Sequence, residues 1–213
     1  MKLYDDFKEV MHHHHQQLTK IAIKHGELEG NIFTYDGQRT GDFMHAKMRN
    51  VFNIAQLCDD TVLEIGFNVG NSAMIFLTAN SDIKFYAVDV MIHKEAVKEA
   101  VDYLNKHFNN RVTLFEGDSL KVIPSLDRAF RDRISLYHID GWHAKEGIQA
   151  DLKNCYELSK NGAFVICDDT NNKCIQDEYD AYVAANKVKH RPDLVQVKPP
   201  NWSHEIGQFI KEV

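Results

Sequence analysis

The sequence predicts an α/β fold: one mostly parallel seven-stranded sheet, helices on both faces, and an antiparallel C-terminal hairpin. Three observations carry that prediction. From residue 61 short apolar runs alternate with stretches of helical period, the pattern of successive βαβ units. Residues 62–72, Val-Leu-Glu-Ile-Gly-Phe-Asn-Val-Gly-Asn-Ser, run from an apolar strand through an acidic residue and two glycines into a helix start. Each of the first five predicted strands also ends in a carboxylate, and in an open α/β sheet ligands bind outside the carboxyl ends of the strands.

A chain of 213 residues is long enough for a single domain with a substantial core. It divides into N-terminal helices over residues 1–58 and an α/β core over 59–213. Leu3, Phe7, Val10 and Met11, then Leu18, Ile21 and Ala22, recur at helical spacing and predict a helix over 3–25. Gly26 and Gly30 break that pattern. A second amphipathic helix is expected over 42–58, with Asp42 as its N-cap. Strands are expected near 61–65, 83–88, 111–115, 134–139 and 162–167, and helices near 70–79, 93–108, 119–124, 144–159 and 173–187. After Pro192, strands near 194–198 and 205–211 flank Lys198-Pro199-Pro200-Asn201 and close the sheet antiparallel.

The formal net charge is −6 and no basic run occurs, so the footprint of a general nucleic-acid binder is missing. The four cysteines, Cys58, Cys155, Cys167 and Cys174, match no zinc or redox spacing and read as reduced thiols. Cys155 and Cys167 sit in apolar surroundings, where thiols pack as small hydrophobes. The N-terminus has no apolar signal region, and no stretch approaches the ~20 apolar residues of a membrane span. The expectation is a cytoplasmic protein without a membrane or nucleic-acid partner; association with a second copy stays open. His12 to His15 form a run that reads first as a solvated helix face, with a metal site as the alternative.

Gly66 and Gly70 lack a Cβ, which permits a tight turn and close approach of a ligand. Their spacing is not the G-x-G-x-x-G of dinucleotide folds, which disfavours an NAD-binding protein. Asp89 closes the second strand, where a ribose-binding carboxylate is expected. The third strand ends in Glu116-Gly117-Asp118-Ser119, in which Asp118 or Ser119 reads equally as a helix cap. The fourth ends in Asp140-Gly141-Trp142-His143 and the fifth in Asp168-Asp169-Thr170. Three carboxylates at neighbouring strand ends repel each other unless something neutralises them, and hard oxygen ligands suit Mg²⁺. His143 stands at a predicted helix start, where the helix dipole and a dication favour neutral imidazole, the form a general base needs. Trp142 fits either a cover for a cofactor ring or ordinary core.

Glu64-x-Gly66-x-x-x-Gly70 with Asp89 resembles the first motifs of the S-adenosylmethionine (SAM) methyltransferases. With Asp140, His143, Asp168 and Asp169 added, residues 40–170 look like a metal-dependent O-methyltransferase of the Rossmann-like class I fold. Two groups are similar: the macrocin-type and rhamnosyl O-methyltransferases and, more distantly, catechol O-methyltransferase. The resemblance implies that Glu64, Gly66, Asn68 and Ser72 border the methionine part of SAM and that Asp89 binds the ribose. It places Asp118, Ser119 and Trp142 around the adenine, Mg²⁺ (or Mn²⁺) on Asp140, Asp168 and Asp169, and the general base at His143. The catechol enzyme has lysine at the position of His143 and asparagine at that of Asp169; the sugar enzymes share the histidine. Asp140-Gly141-Trp142-His143-Ala144-Lys145-Glu146-Gly147 with Asp151 is similar to the sugar group's pattern. The expected acceptor is therefore a sugar hydroxyl, a deoxysugar such as rhamnose in a glycan or glycoside. A phenolic acceptor and a non-catalytic SAM- or nucleotide-binding module are the rivals. Trp202 and His204 are candidates for the acceptor side.

Overall fold

The computed structural model describes residues 2–26, 42–195 and 203–211. A 3-10 turn, Tyr4–Phe7, leads into α1 (Lys8–Lys24), and α2 (Asp42–Ala55) follows. The α/β core then runs β1 (Thr61–Ile65), α3 (Asn71–Ala79), β2 (Lys84–Asp89), α4 (Lys94–His107) and β3 (Val112–Glu116). It continues with α5 (Ser119–Ser125), α6 (Arg128–Arg131), β4 (Ile134–Ile139), α7 (Lys145–Leu158), β5 (Phe164–Cys167), α8 (Lys173–Ala184), β6 (Val188–His190) and β7 (Glu205–Phe209).

The strands form one seven-stranded sheet in the order β3-β2-β1-β4-β5-β7-β6. The first five are parallel, and β7 runs antiparallel to both β5 and β6. This is the class I methyltransferase fold. The strand order reverses between β1 and β4, so their carboxyl ends flank the crevice where open sheets bind ligands.

Period-two alternation sorts the strand side chains between two cores. Val62, Phe85, Ala87 and Leu136 pack under α1 to α4 with Phe52, Phe76 and Leu104. Leu63, Val88, Tyr137, Ile139 and Val165 face the other way, against Ile123 of α5, Leu152 and Cys155 of α7 and Tyr179 of α8. Both Cys155 and Cys167 are fully buried, and all four thiols are free.

The C-terminal hairpin forms from a different segment than expected. Residues 192–194 make a 3-10 turn rather than the start of a strand, and 196–198 lie outside the described residues. Proline at 192 fixes φ and offers no N–H to a ladder, which suits a turn. The sixth strand is instead Val188–His190, paired with Gly207–Phe209. Helix α8 stops at Ala184, three residues short of the expected end, where Asn186 takes a left-handed φ of 54°. The Asp42 cap, the Lys198–Asn201 turn and Trp202 lie outside the described side chains.

The histidine run divides. His12 and His13 are exposed, but His14 and His15 are buried, which corrects the reading of the run as one solvated face. Nδ1 of His14 lies 2.8 Å from the Tyr103 hydroxyl, and Nδ1 of His15 lies 3.1 Å from Oδ1 of Asn71. The run packs α1 onto α4 and onto the first residue of α3. No helix among the described residues is long and apolar enough to cross a membrane.

Candidate active site

Three backbone hydrogen bonds extend the parallel ladder past the strand ends and gather the predicted residues. Gly66 N donates to Val88 O, Asp140 N to Ile65 O, and Asp168 N to Ile139 O, at 2.9 to 3.0 Å. The ends of β1, β2, β4 and β5 therefore meet around one crevice.

At its cofactor end the β1–α3 turn is held by Asp89. Oδ2 of Asp89 accepts from Phe67 N at 3.0 Å and Asn68 N at 3.1 Å, and Oδ1 accepts from Met91 N at 2.7 Å. A carboxylate has about four acceptor sites, so Asp89 braces this turn and keeps acceptor capacity for a ribose hydroxyl. Gly66 has φ 89°, and a Cβ there would collide with the Asp140 carbonyl oxygen. Glycine is thus required by the approach of β4, in addition to any ligand. Asn68 is itself left-handed, with φ 52°.

Glu64 is fully buried and points beneath this turn. Its Oε1 accepts from the Ser72 hydroxyl and pairs with Nδ1 of His138 at 2.8 Å. Oε2 is buried and has no hydrogen-bond partner among the described residues. Burial raises the Glu64 pKa. An orphaned buried acceptor beside a braced glycine turn fits a cationic or N–H-bearing ligand group such as the SAM ammonium.

Around the expected adenine position the outcomes differ. Asp118 caps α5, accepting from Leu120 N at 3.0 Å, so the capping reading holds for that residue. Ser119 donates to Oδ1 of Asp151 at 2.7 Å, and burial pushes the Asp151 carboxyl up to about 6. Trp142 is 62% exposed, which removes the core reading and leaves its ring open to a partner.

The acidic end carries a cation that sequence reasoning misses. Lys47, buried on α2, places Nζ 2.6 Å from Oδ1 of Asp168 and 3.9 Å from Oδ1 of Asp169. His138 reaches the other side of Asp168, with Nε2 3.3 Å from Oδ2. Burial alone would raise the Asp168 pKa, but Lys47 and His138 outweigh it and hold the carboxyl well below its usual range. Burial likewise opposes charge on Lys47 and on His138, yet the surrounding carboxylates raise both above their ordinary values. Repulsion among the aspartates is therefore relieved in part by the protein's own side chains, Lys47 and His138.

Among the described residues, two groups of ligand atoms close to within 4.8 Å: His138, Asp140 and Asp168, and Asp140, His143 and Asp169. The expected trio of Asp140, Asp168 and Asp169 is not one of them. Lys47 and His138 balance Glu64 and Asp168, which leaves Asp140 and Asp169 facing His143. Asp169 has a left-handed φ of 53°, and burial, with Asp168 and Asp140 nearby, pushes its carboxyl up to about 6. Two carboxylates with an open side and one shifted upward fit a divalent cation.

His143 is exposed, with Nε2 3.1 Å from Oδ2 of Asp169 and 3.8 Å from Oδ1 of Asp140. Its carbonyl accepts from Nδ2 of Asn172 at 3.3 Å and from Sγ of Cys174 at 3.4 Å. These contacts tie the residue to the start of α8. Asp140 and Asp169 raise the His143 pKa, so in the protein alone the carboxylates favour imidazolium over the expected neutral ring. His204 is buried, with Nε2 3.1 Å from Nδ2 of Asn50, and burial pushes its pKa down to about 4.

A methyltransferase domain family model matches residues 63–170, half of the chain, from β1 through the Asp168-Asp169 corner. A tRNA (guanine-N(7)-)-methyltransferase of Shewanella piezotolerans is 30% identical over 87 residues, which span 40% of this chain and 36% of that protein. Among solved structures, the O-methyltransferase TomG from Streptomyces achromogenes, involved in tomaymycin synthesis and in complex with SAM, is similar. It has a TM-score of 0.68 at 14% identity, with 100% of each chain covered. CalS11, a TDP-rhamnose 3'-O-methyltransferase in calicheamicin biosynthesis, gives a TM-score of 0.60 at 16% identity, covering 92% of this chain and 93% of that one.

Proposed function

Because the chain belongs to this methyltransferase domain family, we propose that it is an O-methyltransferase moving the SAM methyl group to a sugar hydroxyl with Mg²⁺ present. The acceptor we propose is a deoxysugar such as rhamnose in a glycan or glycoside. The observation that carries the reading is His143 set between Asp140 and Asp169, with the Asp140 backbone against Gly66 of the turn braced by Asp89.

In this reading Glu64, Gly66, Asn68 and Ser72 border the methionine portion of SAM and Asp89 takes the ribose hydroxyls. Asp118, Ser119 and Trp142 border the adenine, Trp142 through its open ring face. Asp140 and Asp169 hold the cation, and Asp168, engaged by Lys47 and His138, backs them. A divalent cation there would lower the acceptor hydroxyl's pKa and orient its oxygen. A cation on Asp140 and Asp169 would offset the carboxylates that favour imidazolium; Nε2 of the neutral His143 ring then takes the proton as the hydroxyl oxygen bonds to the methyl carbon and the carbon–sulfur bond breaks. Holding the two reactants in line supplies part of the barrier reduction. An aliphatic hydroxyl needs such a base more than a phenol does, which favours the sugar acceptor. The CalS11 likeness points the same way. A net charge of −6 without a basic run favours a small molecule or glycan over tRNA.

The test is incubation with labelled SAM, Mg²⁺ and a panel of rhamnosyl glycosides, catechols and tRNA. Label should enter a glycoside hydroxyl. Faster labelling of a catechol would transfer the assignment to the phenolic group, and labelling of tRNA alone would end the O-methyltransferase reading.

A further inference from the structure

The two ends of the crevice share one imidazole. His138 lies inside β4, and the parallel register sets it beside Glu64 of β1 and Ile166 of β5. Its Nδ1 stands 2.8 Å from Oε1 of Glu64 and its Nε2 3.3 Å from Oδ2 of Asp168. Glu64, His138 and Asp168 are 0%, 1% and 3% exposed, and the Phe76 ring packs on the imidazole at 5.7 Å between centroids. The chain of contacts runs on from Glu64 to Ser72 and from Asp168 to Lys47. Each ring nitrogen serves one carboxylate, so a ring rotation that improves one bond weakens the other. Almost no solvent reaches the three groups to absorb the change.

We propose that His138 is a positioning residue that couples the cofactor end of the crevice to its acceptor end. A change at Asp168 is passed through the ring to Glu64 and alters cofactor affinity, and cofactor occupancy in turn alters Asp168. The inference rests on the proposed placement of SAM beside Glu64 and of the acceptor beside the aspartates. A histidine that only neutralised two buried carboxylates would affect stability when replaced but would transmit nothing.

The test is a double-mutant cycle on S-adenosylhomocysteine (SAH) binding, measured by calorimetry in EDTA. Its members are wild type, Asp168→Asn, His138→Asn, whose amide is too short to span both carboxylates, and the double variant. Asp168→Asn should change the SAH Kd by about fivefold or more when His138 is present, and by less than about twofold when it is not. Equal effects of Asp168→Asn in both backgrounds overturn the proposal. A second measurement needs no variant. In nitrogen-15 spectra of the histidine rings, the His138 signals, recognised by their contacts to Phe76, should both shift on adding SAH. The shift should include Nε2, which faces away from Glu64. An unmoved Nε2 overturns the coupling. Absence of SAH binding to wild type ends the proposed function and this inference together, whereas binding without coupling ends only the inference.

Discussion

The cofactor end and the acidic end of the crevice are built in different ways. At the cofactor end one carboxylate, Asp89, is held by three backbone N–H groups. All three belong to residues near a glycine turn or just past the same strand, so the construction is local in sequence. At the acidic end, the carboxylates after β5 meet Lys47 from a helix more than a hundred residues earlier, and Asp168 also meets His138 from the interior of β4. Backbone amides fix a position cheaply because they are already in place. Side-chain charges drawn from distant elements must be desolvated together, and removing one strands the others. The first construction tolerates change; the second concentrates chemistry and risk.

The largest expected effect sharpens that contrast. His143→Ala should lower kcat on the true acceptor by about 10²–10⁴, while the SAH Kd stays within about twofold, because the imidazole serves only the acidic end. Steady-state kinetics with calorimetry checks both halves. Wild-type turnover would make His143 a bystander, and the preference for a sugar over a phenol would lose its best argument.

Lys47→Met should destabilise the fold by about 3–5 kcal/mol, since it leaves Asp168 buried without its ammonium partner. Urea unfolding measures this. A loss near zero would mean that His138 alone compensates Asp168.

At the cofactor end the effect should be smaller. Asp89→Ala should weaken SAH binding by about 1.5–3 kcal/mol, the scale of a charge-assisted hydrogen bond, with little change in the affinity for Mn²⁺. Calorimetry with each ligand reads the two separately, and unchanged SAH affinity would remove Asp89 from the ribose site.

Asp151 gives the smallest effect and a pH signature. Its carboxyl is pushed up to about 6 in the fold from an ordinary 3.8. Between those values the folded chain holds a proton that the unfolded chain has released, so stability falls as pH rises from about 4 to 6. Asp151→Asn keeps an acceptor for Ser119 and removes that loss. It should stabilise the protein at pH 7 by on the order of 1–3 kcal/mol and leave stability at pH 4 nearly unchanged. Melting curves at the two pH values decide, and equal shifts at both would show that the group's environment is not the cause.

Locality also explains what is legible in the sequence. The β1–α3 turn, Asp89, and the corners at Asp140 and Asp168 follow from strand ends and turn chemistry within a few residues. Lys47 is hidden because a lysine on an amphipathic helix reads as a surface cation. A signal exists all the same: it shares the buried stripe of α2 with Val51 and Ile54. His138 is one letter in an apolar strand, although a histidine in a strand buried on both faces must find polar partners there. Strand β6 escapes a sequence reading because three residues are too short to show alternation, and its pairing is set by β7 rather than by its own composition.

The central claim is that methyl transfer depends on a divalent cation at the acidic end, while the cofactor end stands without it. The direct measurement is the rate of label transfer from SAM to a rhamnosyl glycoside by EDTA-treated protein, titrated with Mg²⁺. The rate should rise from background to a plateau as Mg²⁺ fills the site beside Asp140 and Asp169. Full turnover in the presence of the chelator would contradict the claim and leave Lys47, His138 and His143 as the cations serving that end of the crevice.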